Sequence, residues 1–108
     1  GALAMGDIGK LFPDTDEEYK DIDSKILLSR VYKLMDKEGY KLGNLDCVIA
    51  CQRPKLAEYI LDMRNTISDI LNTEVKNISI KATTTEKLGF EGEGKGISSY
   101  SVVLLESK

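Results

Sequence analysis

The sequence predicts an α/β fold, specifically an α+β two-layer sandwich with helices on one face of a mixed β-sheet. Three observations carry that expectation. Leu27, Val31, Leu34 and Met35 recur at helical spacing, and so do Leu56, Ile60, Met63, Ile67 and Ile70, at steps of 4, 3, 4 and 3. A strand-like run follows each stripe, at residues 45–52 and 75–82. The closing run, GISSYSVVLLE, is apolar on both parities at Val102, Val103, Leu104 and Leu105. With 108 residues the chain has room for one domain, residues 1–108.

The elements are expected in this order. GALAMG reads either as the end of a helix closed by Gly6 or as a cloning remnant. Residues 10–23, polar and punctuated by Pro13, read as a loop. The first full helix spans residues 24–38, with Asp23 or Ser24 at its N-cap and Gly39 as its stop. A strand covers residues 45–52, apolar enough to be covered on both faces. Pro54 stands where a first helical residue is tolerated, and the second helix runs from there to Asn72 or Thr73. VKNISIKA alternates imperfectly as a strand, and the last strand starts near Gly96 and ends near Glu106. So small a sandwich leaves one sheet face open, and the economical cover is a second copy of the chain.

Composition narrows the function. The chain is 42% hydrophobic and 31% charged, as in an ordinary water-soluble globular protein. Its 15 basic and 18 acidic residues leave a net charge of −3, so nucleic acid and anionic membranes are poor partners. No apolar run is long enough to span a bilayer, and no secretion signal is visible at the start. Cys47 and Cys51 lie four apart in a strand, roughly 13 Å, which is too far for a disulfide. They read as reduced core thiols of a cytosolic protein, and Cys-x3-Cys alone is a weak metal signal. Histidine is absent, which removes His-based acid–base catalysis and His-ligated metal from this chain alone.

Four stretches carry possible chemistry. DIGKLFPDTD sets Asp7, Asp14 and Asp16 around a proline turn, suited to orienting a hydroxyl or ligating a hard cation, or simply to being a solvated acidic loop. In TTTE, backbone N–H groups with Thr83 and Thr85 can donate to phosphate oxygens while Glu86 holds a divalent cation; a Thr-rich strand end is the plainer alternative. CQRPK joins a strand to a helix start, where free N–H groups favour anions and Lys55 adds a positive charge. GFEGEGKG places Gly92, Gly94 and Gly96 at a period of two, either extended with one glycine-lined face or looped as a hairpin. It lacks the spacing of a dinucleotide fingerprint.

Taken together, DIGKLFPDTD, DIDSKILL, GYKLGNLD, QRPK and KATTTEKLGF resemble the 2-C-methyl-D-erythritol 2,4-cyclodiphosphate synthase family over essentially the whole chain. The resemblance implies a cytoplasmic (or, in a eukaryote, plastid-type) lyase of the non-mevalonate isoprenoid pathway. It implies a homotrimer with sites between protomers. The substrate would be 4-diphosphocytidyl-2-C-methyl-D-erythritol 2-phosphate, cyclised with release of CMP. Asp7, Ile8 and Gly9 align with a substrate contact. Phe12, Pro13, Asp14, Thr15 and Asp16 align with a mobile loop over the erythritol. Cys51, Gln52, Arg53, Pro54, Lys55, Leu56 and Ala57 align with the segment whose backbone reads cytosine. Thr83, Thr84, Thr85 and Glu86 align with the nucleotide and phosphate contacts, with Phe90 also at the substrate.

In this alignment Asp14, Asp16 and Thr84 are the catalytic candidates, and Glu86 ligates magnesium or manganese between the phosphates. The family's zinc-type ion is held by an Asp-x-His pair and a further His that would lie upstream of Gly1, so the chain resembles the C-terminal two-thirds of the enzyme. Where the family often has Arg then Glu, this chain has Glu93 then Lys95 near the expected trimer axis. Two alternatives stand beside the enzyme. One is a trimeric cytidine-nucleotide-binding module without catalysis; the other is a chorismate-mutase-like trimer shell holding an unrelated small ligand.

Overall fold

Helix α2 (Ser24–Lys37) forms where the first apolar stripe places it. The Asp23 carboxylate accepts the Lys25 N–H at 2.8 Å, a cap typically worth about 1 kcal/mol. Gly39, at φ +87°, then turns the chain into β1 (Tyr40–Ala50). The second stripe forms as a 3-10 turn, Ala57–Tyr59, continued by helix α3 (Ile60–Ile70). Strands β2 (Ile78–Thr83) and β3 (Ser98–Ser107) complete a sheet of order β2-β1-β3. β1 is parallel to β2 and antiparallel to β3, so the sheet is mixed as expected. This computed structural model describes residues 1–13 and 15–108.

Several local expectations are corrected. GALAMG is not a helix end: residues 2–3 form a turn, and the nearby helix is the short α1 (Ile8–Leu11), inside what reads as loop. Asp7 makes that helix possible, because its carboxylate caps the Lys10 N–H at 2.8 Å. β1 starts at Tyr40 rather than at 45, since a register shift between Leu42 and Asn44 absorbs Gly43 as a bulge. A Cβ there would lie 3.0 Å from the Leu104 carbonyl oxygen, a tight approach that β3 could accommodate only by giving way slightly. β1 also ends at Ala50, which leaves Cys51 and Gln52 outside it.

Pro54 is not a first helical residue, for it lies in the bend that precedes Leu56. Val75–Asn77 is a 3-10 turn rather than strand, pinned by Arg64, whose guanidinium donates to the Val75 carbonyl at 3.1 Å and the Ile78 carbonyl at 2.7 Å. GFEGEGKG is neither extended nor a hairpin. It begins with the short helix α4 (Gly89–Gly92) and closes through the Lys95 N–H to the Phe90 carbonyl at 2.8 Å.

The core lies on one sheet face. Ile78 is fully buried, among Leu42, Cys47, Leu71 and Ile80. Ile60, Met63 and Ile67 of α3 and Leu28 and Tyr32 of α2 pack against that cluster. Both helices therefore sit on the same side. Cys47 and Cys51 are buried and free. The other sheet face is bare: Tyr100, Val102 and Leu104 are 66%, 74% and 55% exposed. Beside them Lys81 donates to Asp46 across the β1–β2 pair at 3.0 Å. The result is a slab 22 Å thick whose radius of gyration, 15.3 Å, exceeds the roughly 13 Å of a compact chain this long. β1 is thus covered on one face only, not on both.

Two expected outcomes follow from this packing. Ile78→Ala should lower unfolding stability by about 2–5 kcal/mol, read from the denaturant midpoint. Asp46 should make a small acid-sensitive contribution. The Lys81 ammonium, through its hydrogen bond, and then Ser79 hold the Asp46 carboxyl below its ordinary value of 3.8, against a weaker opposing effect of burial. The folded value is the lower one, so this stabilisation is in place above about pH 3.8 and fades as pH falls through the folded value. Thermal melts should show the gap between wild type and Asp46→Asn closing in acid.

Candidate active site

The parallel pairing of β1 and β2 brings their C-terminal ends side by side, the end of an open α/β sheet where ligands bind. Ala50 pairs with Thr83, and the Cys51 N–H donates to the Thr83 carbonyl at 2.9 Å. That bond locks the CQRPK turn against TTTE. Between them opens a cavity of about 400 Å³, lined by Cys51, Gln52, Lys55, Leu56 and Ala57 on one side and Ala82, Thr83 and Thr84 on the other. Ala82 is the one lining residue that sequence reasoning missed. Its signal was the strand alternation, which sets it one step before the first threonine.

Each wall has its own internal bonding. The Cys51 thiol points away from solvent and donates to the Arg53 carbonyl at 3.0 Å, folding the turn onto itself. The Arg53–Pro54 peptide is cis. The Gln52 Oε1 is buried, with no hydrogen-bond partner among the described residues. Thr83, Thr84, Glu86 and Lys55 are exposed. The Thr83 hydroxyl donates to the Thr84 carbonyl at 3.2 Å, and the Thr84 hydroxyl accepts the Glu86 N–H at 3.4 Å. The Thr85 hydroxyl turns the other way, donating to the Leu88 carbonyl. It is Thr83 and Thr84, rather than Thr85, that face the cavity.

The remaining expected site residues stand apart from it within one chain. Asp7 and Gly9 belong to the cap and first turn of α1, and Ile8 is 56% exposed. Asp16 accepts the Glu18 N–H at 3.0 Å and donates its own N–H to the Pro13 carbonyl at 3.1 Å, with Thr15 between them in the turn. The Phe12 ring meets Tyr19 edge-on at 5.4 Å, and the Arg30 guanidinium caps Tyr19 at 5.3 Å. Asp14 lies outside the described residues. None of the described residues of 7–16 lines the cavity, nor does Phe90, which is 52% exposed. Glu93 and Lys95, the reversed pair, close on each other at 2.9 Å.

Among the described residues no three His, Cys, Asp or Glu side chains gather as a metal-holding group. An exposed Glu86, whose N–H bonds to the Thr84 hydroxyl, still fits a magnesium-type ion. Such an ion takes one or two carboxylates and completes its shell with substrate phosphates and water. A larger cavity of about 590 Å³ lies at the opposite end of the sheet. Its charged side chains are paired with one another, Lys76 with Glu74 at 3.3 Å, Lys41 with Glu106 at 4.0 Å and Lys108 with Asp36.

Comparison with known proteins assigns the scaffold. The YgbB family model matches residues 1–106. The chain belongs to that family. It is 58% identical over 108 residues to the 2-C-methyl-D-erythritol 2,4-cyclodiphosphate synthase of Finegoldia magna, covering all of this chain and 68% of that protein. The synthase of Desulfitobacterium hafniense is 58% identical over 105 residues, with 97% and 66% covered. The chain therefore spans about two thirds of the length of these relatives.

Among solved structures, the bifunctional IspDF of Campylobacter jejuni superposes with a TM-score of 0.94 at 40% identity, covering all of this chain and 29% of that one. The IspF of Plasmodium falciparum, in a CDP complex, gives 0.87 at 37% identity, with 100% and 64% covered. The family expected from FPDTD and KATTTEKLGF is borne out.

Proposed function

We propose that the protein is a cyclodiphosphate synthase. It converts 4-diphosphocytidyl-2-C-methyl-D-erythritol 2-phosphate into 2-C-methyl-D-erythritol 2,4-cyclodiphosphate, with release of CMP. One observation carries the reading: the turn of residues 51–57 and the threonines at 83–84 form the two walls of one cavity in a chain of this family. A diphosphate linking a base to a polyol needs that arrangement. One wall takes the base, the other the phosphates.

In the reaction an oxygen of the substrate's 2-phosphate attacks the β-phosphorus of the diphosphate. The bond from that phosphorus to the bridging oxygen of CMP breaks, and CMP leaves with the electron pair. No covalent bond to the protein is needed, so the rate comes from positioning and from neutralising charge. The base is held by the backbone of residues 51–57. Thr83 and Thr84 donate to the phosphate oxygens, and Lys55 draws the anion to the cavity mouth. Glu86 would hold magnesium or manganese between the phosphates, and that ion would supply the countercharge that lets two phosphates approach. A zinc-type ion would need histidine ligands, which these 108 residues do not contain.

The acidic segment of residues 7–16 fits this scheme when supplied by a neighbouring copy, with Asp14 binding an erythritol hydroxyl and Asp16 beside it. The bare apolar face of β3 favours a homotrimer, because three copies bury Tyr100, Val102 and Leu104 against one another. Bacterial relatives favour the cytoplasm.

The deciding measurement is CMP release from the substrate with zinc and magnesium added. Turnover is expected once histidine ligands complete the zinc site, which these 108 residues alone do not hold, and Glu86→Gln should then lower kcat on the order of 100-fold. Protection by CDP in a melting assay without any CMP release would favour the nucleotide-binding module, and no protection at all would favour an unrelated ligand. Val102→Lys should shift the mass measured by light scattering from three chains to one while leaving the far-ultraviolet circular dichroism unchanged. A monomeric wild type would overturn the trimer.

A further inference from the structure

The Glu86 carboxylate sits on an unusual turn. Glu86 and the following Lys87 both adopt left-handed backbone, at φ +55° and +66°, where side chains with a Cβ are disfavoured. Two such residues in succession persist only where the surroundings hold them. The surroundings here are α4. Gly92 is buried beneath the turn, and a Cβ on it would lie 2.3 Å from the Lys87 carbonyl carbon, 2.6 Å from the Lys87 Cα and 2.7 Å from the Thr85 hydroxyl oxygen.

Both Lys87 contacts are with backbone, which no side-chain rotation relieves. The Leu88 carbonyl ties the two parts together by accepting the Thr85 hydroxyl and, at 3.1 Å, the Gly92 N–H. The Leu88 N–H returns to the Thr85 carbonyl at 3.1 Å. Gly92 is at normal φ and is not required for its own conformation. It is required for the space above it.

We propose that Gly92 is a positioning residue for the reaction: the missing side chain seats the 85–88 turn on α4, with the Thr85 hydroxyl as its brace, and so fixes where the Glu86 carboxylate meets the divalent ion. This rests on the reading of Glu86 as the carboxylate that meets that ion. A methyl group at position 92 lifts the turn by more than a side chain can yield, and the three atoms nearest to it all belong to Thr85 and Lys87 rather than to the cavity wall of residues 51–57. Misplacing one metal-facing carboxylate by about 1 Å weakens its function on the order of ten- to a hundred-fold.

Calorimetric titration of the full chain with CDP, with Mg²⁺ and then with EDTA, tests this. In the wild type Mg²⁺ tightens CDP binding, and Glu86→Gln abolishes the gain. Gly92→Ala should lose about tenfold or more of the gain while keeping the affinity measured in EDTA and the wild-type circular dichroism. Thr85→Val should lose the gain as well, and Thr85→Ser should restore it.

A wild type with no Mg²⁺ gain, or a Glu86→Gln variant that keeps it, overturns the metal reading and the inference with it. A wild-type gain that Gly92→Ala retains in full overturns the inference alone. So does a Gly92→Ala protein that loses its EDTA affinity equally, since that marks a merely structural role. Should Gly92→Ala fail to fold, the Thr85→Val and Thr85→Ser pair decides. A gain kept by Thr85→Val, or not restored by Thr85→Ser, rejects the brace.

Discussion

Everything at the candidate site depends on one backbone pairing, the parallel ladder between β1 and β2 that ends with the Cys51 N–H on the Thr83 carbonyl at 2.9 Å. Parallel neighbours finish at the same end of a sheet, so the loops leaving them face each other. The crossover helix α3 enforces this geometry, and Ile78, at the first step of β2 and fully buried, fixes its register. A slip by one residue would turn Ile78 and Ile80 to the bare face and rotate the threonines away from the turn at 51–57. The chemistry of the site and the stability of the core are therefore set by the same register.

Much of this was legible in the residues. The stripes in α2 and α3 have a 3.6-residue period that nothing else imitates, and Asp23 marks where the first of them starts. The cavity walls were legible through the resemblance, because QRPK and KATTTEKLGF each have a plain structural reading alone and point to the family only in combination. What escaped were places where one long-range contact overrides a local signal. The strand reads as starting at residue 45, yet a bulge at Gly43, where β3 crosses close by at Leu104, carries β1 back to Tyr40. Val75 reads as strand, yet Arg64 draws its carbonyl into a 3-10 turn. The glycines of GFEGEGKG read as flexible or extended, but their ordering depends on Lys87 and Phe90 lying close above them. Spacing alone does not report which atoms will close on a glycine or a carbonyl in three dimensions.

The same molecule also has too little interior for its size. Among the described residues Ile78 is the large side chain that is fully buried, and Tyr100, Val102 and Leu104 of β3 face water on the side away from the helices. Monomeric proteins seldom leave so continuous an apolar strip uncovered. A sheet with one finished and one unfinished face is what a subunit of a larger body requires, and the Asp46–Lys81 pair beside the strip adds a directional mark to an otherwise greasy surface.

The fastening of the acidic segment carries a mechanical consequence. Phe12 reaches the rest of the chain through one ring edge on Tyr19, and Tyr19 through the Arg30 cation above it. Contacts of these kinds contribute about 1 kcal/mol each. Such a leash ties Phe12 to α2 by little more than two weak contacts. In the proposed oligomer a neighbouring copy would therefore need few contacts of its own to set the position of Phe12, as a latch finds its strike plate only when the door is hung.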